Sequence, residues 1–186
     1  GHPHYEFVYN WGKKASNKDK TLLRNEIFPE ALNSRPVVVF ISEGKDLLDE
    51  TASLRNDKYS LVGRGGSNFR TLIALEELID GLVSANLKAH IVLRLHPKDN
   101  KSDYENIINE VSQLSIEENP LEVVFAADLV VGMTSMLLLE ASILEIPTLS
   151  ILPIESEKKW MPNTLSGVTK VVSNRKELVL MLKRKT

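Results

Sequence analysis

The chain has 186 residues, 42% hydrophobic and 26% charged, enough apolar material for the core of one compact domain. Its 23 basic and 25 acidic residues give a net charge of -2 and are interspersed, without the basic stripe that binding to a nucleic-acid backbone requires, so nucleic acid is not an expected partner. Cysteine is absent, which excludes disulfides, thiolate metal sites and cysteine nucleophiles; no apolar run approaches the about 20 residues that span a bilayer, and a cytoplasmic protein with no transmembrane segment is expected.

The first residue is Gly1 rather than Met, as though the chain were cut from something longer. Residues 1–34 hold a polar cluster over 13–20 and then Leu22, Leu23, Ile27 and Phe28 at near-helical spacing, which predicts an interdomain lead-in with one short helix ahead of the main domain over 35–186. Pro36-Val37-Val38-Val39-Phe40-Ile41 reads as a fully buried strand. After a polar loop containing Gly63-Arg64-Gly65-Gly66-Ser67, the residues Phe69, Leu72, Ile73, Leu75, Leu78, Ile79, Leu82 and Val83 recur at helical steps, with Ser67 or Asn68 as the expected cap. A second strand is expected over 89–95, and Ser102-Asp103-Tyr104-Glu105 reads as a capping box opening a helix with Tyr104, Ile107, Ile108, Val111 and Leu114 inward. A short helix over 121–127, a strand over 129–131, a helix over 135–144, a strand over 148–152, and a closing strand and helix over 169–172 and 175–183 complete the pattern. Strands alternating with helices predict right-handed crossovers and a mainly parallel sheet covered on both faces, a Rossmann-like three-layer α/β/α sandwich.

Open parallel sheets bind ligands beyond the carboxyl ends of their strands, which directs attention to the loops after Ile41, Leu95, Val131 and Leu152. Arg94, His96 and Lys98 alternate along the second strand and its exit. If extended geometry continues, they share one face and gather positive charge for an anion; the alternative is two solvated cations and a histidine packed beside a turn. Gly132-Met133-Thr134-Ser135 places a glycine and hydroxyls at a helix start, where free amides and the helix dipole suit phosphate, although plain capping by Thr134 or Ser135 would use the same residues. Glu140 lies in an otherwise apolar or small stretch, five residues past Ser135 and so roughly 7.5 Å along the axis. Its carboxylate must be exposed at a site or hydrogen-bonded to neighbours.

The stretch Ala127-Asp128-Leu129-Val130-Val131-Gly132-Met133-Thr134-Ser135, then Glu140-Ala141, then Ile146-Pro147-Thr148-Leu149-Ser150, resembles the donor-binding domain of GT-B-fold glycosyltransferases and of UDP-N-acetylglucosamine 2-epimerases. His96-Pro97 resembles the histidine-proline element of that superfamily, and Gly1-His2-Pro3 looks like the segment linking its two Rossmann halves. The resemblance implies a C-terminal, nucleotide-sugar-binding half in which Gly132, Met133, Thr134 and Ser135 surround the donor phosphates, Glu140 takes the ribose and His96 a phosphate or the sugar; Arg94 and Lys98 are added from strand geometry. It also implies an N-terminal Rossmann half missing from this chain and normally carrying the catalytic base, so that the chain alone is expected to be inactive, with the nucleotide-sugar as substrate and no separate cofactor. Epimerases have a more glycine-rich phosphate loop and a second acidic residue where Ala141 stands, and the basic pair of retaining transferases is not evident, so an inverting or atypical transferase fits better. A non-catalytic nucleotide-binding or interaction module is the remaining alternative.

No aspartate-x-aspartate motif is present, and His2, His4 and His90 lack metal-ligand spacing. The glycine cluster over 63–66 departs from the dinucleotide fingerprint and reads as a flexible loop, with Arg64 still within possible reach of a ligand; Trp160 reads as local loop packing or as a cover for a base or a second domain.

Overall fold

Runs of Val, Ile and Leu short enough to be strands and apolar on both faces build the centre of the molecule. The computed structural model describes residues 2–15, 20–31, 35–44, 54–161 and 167–185. Among these, β1 (Val37–Ile41), β2 (His90–Arg94), β3 (Gln113–Ser115), β4 (Leu129–Gly132), β5 (Thr148–Ile151) and β6 (Lys170–Val172) form one all-parallel sheet in the order β3-β2-β1-β4-β5-β6. The chain winds outward from β1 to β3, returns to β4 beside β1, and winds outward again. The two windings diverge between β1 and β4 and leave a crevice at their carboxyl ends.

Helices α3 (Arg70–Ser84) and α6 (Arg175–Lys185) pack together in one helical layer, and α1 (Pro3–Ala15), α2 (Lys20–Ile27), α4 (Pro120–Phe125) and α5 (Met136–Ile143) pack together in the other. The core runs through both layers: Phe40, Leu75, Leu78, Leu93, Leu129, Leu138 and Leu149 are fully buried. Each such side chain contributes about 1.5–3 kcal/mol by leaving water. The buried Glu77 of α3 accepts from the Gly63 amide at 2.9 Å and from Arg175, which also reaches Asp80; the loop, α3 and α6 are thereby pinned through charge as well as packing.

The expected three-layer architecture and all the expected strands are present, and three local readings are corrected. The lead-in carries two helices, not one: α1 starts at Pro3, a residue suited to a first helical turn, and buries Val8 while Trp11 meets Phe125 edge-on at 5.8 Å. Gly12 lets α1 approach α5, since a Cβ there would lie 2.5 Å from the Leu144 side chain. Neither Ser67 nor Asn68 caps α3; Phe69 is the N-cap residue and has no side-chain cap. The segment opened by Ser102 forms two 3-10 turns, Lys101–Tyr104 and Ile108–Glu110, and then β3, instead of one helix. Tyr104, fully buried, is tied by its hydroxyl to Asp99 at 3.1 Å, and Leu114 pairs in register with Leu93, so side-chain anchoring and sheet pairing override the capping box.

Candidate functional site at the carboxyl edge of the sheet

Strand β4 ends in Gly132, and a Cβ there would press on the Leu138 side chain at 3.3 Å and lie 3.6 Å from Ile41. The glycine therefore lets the start of α5 settle close to β1 and β4. Ser135 is the N-cap of α5, its hydroxyl accepting from the Leu137 amide at 3.2 Å. Met133 is buried in the core and offers only its carbonyl, which accepts from the Ser150 hydroxyl. Thr134 is the residue that faces a partner: its amide donates to Glu43 Oε1 and its hydroxyl to Glu43 Oε2 at 2.9 Å. Glu43 comes from the loop after β1 and is held by its own carbonyl, which accepts from the Thr71 hydroxyl at 2.9 Å. A carboxylate thus occupies the polar groups at the head of α5, on the far side of the crevice from its own strand.

The exit of β2 is organised differently. The chain turns after His96, with the Asp99 amide donating to the His96 carbonyl at 2.9 Å, so extended geometry stops and the three cations proposed from alternation do not share a face. Arg94 is buried and donates to Ser115 Oγ at 3.0 Å and to Glu118 at 3.5 Å; it braces β2 to β3 and does not line the crevice. Burial lowers its pKa, and Glu118 offsets this in part. Lys98 is exposed, and its amide donates to His96 Nδ1 at 3.1 Å. That bond makes Nδ1 the acceptor and leaves the neutral ring's proton on Nε2, a donor at an exposed position beside a hollow of about 530 Å³ that also includes Lys101 and Glu117. Asp99 gathers the loop: its carboxylate accepts from the Ser42 hydroxyl, from the His96 amide at 3.2 Å and from Tyr104. Burial, with Asp99 next in weight, raises the Tyr104 hydroxyl far above the usual phenol range.

Glu140 lies on α5 with its side chain 15% exposed, and its carboxylate is 2.7 Å from His4 Nε2 on α1. The lead-in helix therefore supplies the partner that a buried carboxylate in an apolar stretch requires. Arg64, in the glycine-containing loop, is held by Asp80 and Glu110 at 2.7 and 2.5 Å, beside a cavity of about 560 Å³ along α3. The side chain of Trp160 lies outside the described residues. Among the described residues no three histidine or carboxylate side chains converge on a metal position, and no helix is long and apolar enough to cross a membrane.

Three residues that the sequence reading missed stand at the same edge. Arg70 at the start of α3 donates to Glu157 at 2.7 Å, and Tyr59 pairs with Ile154 in an antiparallel bridge just past β5. Glu43 and Tyr59 come from the irregular segment between β1 and α3, where no periodicity marks them, and Arg70 opens α3 ahead of its apolar steps; only Glu43, within the loop after Ile41, lies where the strand-end rule directs attention.

Neither a family model nor a curated protein matches the sequence. Solved structures do match its shape. UDP-GlcNAc 2-epimerase from Methanocaldococcus jannaschii superposes with a TM-score of 0.52 at 13% identity, the match covering 91% of this chain and 44% of that one. WaaG, a glycosyltransferase involved in lipopolysaccharide biosynthesis, gives 0.51 at 14% identity over 90% of this chain and 42% of its own. A variant of the wall teichoic acid polymerase TagF gives 0.51 at 16% identity over 98% and 42%. The fold is the Rossmann-like one that these structures share over the matched region. This chain spans less than half the length of each of these GT-B structures, and at such identities the likeness concerns the fold.

Proposed function

We propose that this GT-B-type domain binds the donor of a glycosyltransferase that builds a cell-surface polysaccharide or glycoconjugate, a reading supported by its likeness to WaaG, involved in lipopolysaccharide biosynthesis, and to the wall teichoic acid polymerase TagF. The observation that carries the proposal is the seat of the Glu43 carboxylate. Two oxygens of one anionic group are held by an amide and a hydroxyl at the head of a helix, in a crevice at the point where the strand order reverses. A donor phosphate presents the same pair of oxygens. In this reading the phosphate displaces Glu43 from Thr134, His96 Nε2 donates to the same anion or to the sugar, and the ribose hydroxyls replace His4 as partners of Glu140. Arg94 has no part in it. The domain's chemical contribution is electrostatic, receiving the charge that develops on the leaving nucleotide, while the acceptor and the catalytic base belong to a second Rossmann half. An epimerase half is the competing reading, favoured by the match to the Methanocaldococcus jannaschii enzyme and weakened by Ala141 beside Glu140.

The test is calorimetric titration of UDP, CMP, CDP and GDP into this chain, with Thr134→Ala and Glu140→Ala in parallel. Binding of one nucleotide that both substitutions weaken supports the proposal. Binding of none at millimolar concentration, or binding indifferent to Thr134, refutes it.

A further inference from the structure

Two donors at this edge of the sheet lack an acceptor among the described residues. The Tyr59 hydroxyl and Arg70 Nε are buried without a hydrogen-bond partner among the described residues, and Tyr59 as a whole is only 8% exposed. An unpaired buried donor costs about 1–3 kcal/mol, so such groups are rare in native proteins and demand a reason.

The two belong to one neighbourhood. Residues 59–61 run back along the exit of β5, with the Tyr59–Ile154 bridge and the Ser60 amide donating to the Pro153 carbonyl at 2.7 Å. Arg70 reaches the next turn, where its Nη2 holds Glu157. The Glu157 amide donates to the Ile154 carbonyl at 3.1 Å, so the bridge partner of Tyr59 and the carboxylate partner of Arg70 belong to one turn. Thr71, the next residue after Arg70, holds the Glu43 carbonyl at 2.9 Å, so the orphaned donors share this edge with the loop whose carboxylate occupies Thr134.

The local charge selects what they can receive. The positive charge of Arg70 is already met by Glu157 at 2.7 Å, and Glu43 comes from the neighbouring loop, so a further anion is opposed here. A neutral oxygen is not opposed. A hydroxyl group can accept from Tyr59 or Arg70 Nε and donate its own proton to Glu157, and a pair of adjacent hydroxyls can satisfy both donors at once. We infer that Tyr59, Arg70 and Glu157 form a seat for the hydroxyl groups of the donor's transferred sugar or other polyol, and so determine which donor the domain accepts. The inference rests on the donor-binding reading above, and it adds residues outside the phosphate and ribose positions.

The test uses Tyr59→Phe and Arg70→Lys. The first removes only a hydroxyl that has no partner among the described residues, so its melting temperature should equal or exceed that of the wild type; the second keeps a cation for Glu157 and removes Nε. Each is titrated with free UDP, CMP, CDP and GDP and with their sugar conjugates. The expected result is unchanged affinity for the free nucleotide and affinity about tenfold weaker for its sugar conjugate in both variants, the size of one well-made hydrogen bond. A free nucleotide that binds while the ratio of conjugate to nucleotide affinity stays at the wild-type value in both variants overturns the seat and leaves the phosphate reading intact. Equal weakening of nucleotide and conjugate overturns it too. If the wild type binds no nucleotide and no conjugate, both readings fall together.

Discussion

The exits of β2 and β4 lie at the same edge of one parallel sheet, and they dispose of their polar groups in opposite ways. At β2 the groups close on one another: Arg94 on Ser115 and Glu118, Asp99 on Ser42, His96 and Tyr104. At β4 the amide and hydroxyl of Thr134 reach across the crevice to a carboxylate from another loop. The first arrangement is a latch, whose loss costs stability. On the proposed reading the second holds an exchangeable partner, whose loss should cost little stability and change binding. A row of charged and hydroxyl residues after a strand is therefore no guide to a site until it is known whether those residues have already satisfied each other.

The strongest way to break this contrast is Asp99→Ala. It takes the carboxylate away from the buried Tyr104 hydroxyl and from the His96 amide and leaves the Ser42 hydroxyl only the Arg94 carbonyl, and should lower the unfolding free energy by about 3 kcal/mol in urea denaturation, whereas Thr134→Ala should cost less than about 1 kcal/mol. Equal losses would erase the distinction. Next in size, Arg94→Ala should cost about 2 kcal/mol by removing the brace between β2 and β3, with nucleotide affinity unchanged; weakened affinity would return Arg94 to the site. Glu43→Ala sharpens the other side of the comparison. Removing the resident carboxylate should tighten phosphate-bearing ligands about tenfold, worth ~1.4 kcal/mol, in the same calorimetric titration. If affinity falls instead, Glu43 contacts the ligand and is not its competitor.

The smallest effect concerns pH. Burial would raise the Glu118 pKa, but its own amide, the Ser115 hydroxyl, the Ile116 amide and Arg94 together hold it below the ordinary value of 4.5. A carboxyl depressed by folding stabilises the folded chain above its unfolded pKa and loses that contribution as pH falls through the folded value. Glu118→Gln should therefore be less stable than the wild type at neutral pH, by under about 1 kcal/mol because the side chain is 37% exposed, and the gap should close below about pH 4 in acid denaturation.

Much of this could be read in the residues. Strands β1, β2, β4 and β5 declare themselves as β-branched and apolar runs, α3 by its apolar steps, and α5 by its apolar run and its Ser135 cap, because burial imposes those patterns locally. The hydroxyls at Thr134 and Ser135 were legible for the same reason. The loop over 96–115 was not: the fate of Ser102 depends on Tyr104 reaching Asp99 and on Leu114 meeting Leu93, contacts that no local spacing records. Arg94 was misplaced because alternation states which residues share a face only while the strand lasts, and β2 ends there. Glu43, Tyr59 and Arg70 escaped since what assembles them is the return of the chain over 54–69 against the exit of β5, and Glu140 needed the unforeseen α1 to reveal its partner.

The junction of β1 and β4 also governs when the site can exist. Val38 pairs with Leu129 and Glu43 meets Thr134, each pair 91 positions apart along the chain. Closing so long a loop is entropically costly and slow, and contacts of that separation place a chain among the slower folders. The crevice is consequently absent from any intermediate in which the β1–β2 and β4–β5 units have formed but not yet docked. If Thr134 holds a nucleotide as proposed, a fluorescent nucleotide bound there would time the final docking of the two halves of the sheet during refolding.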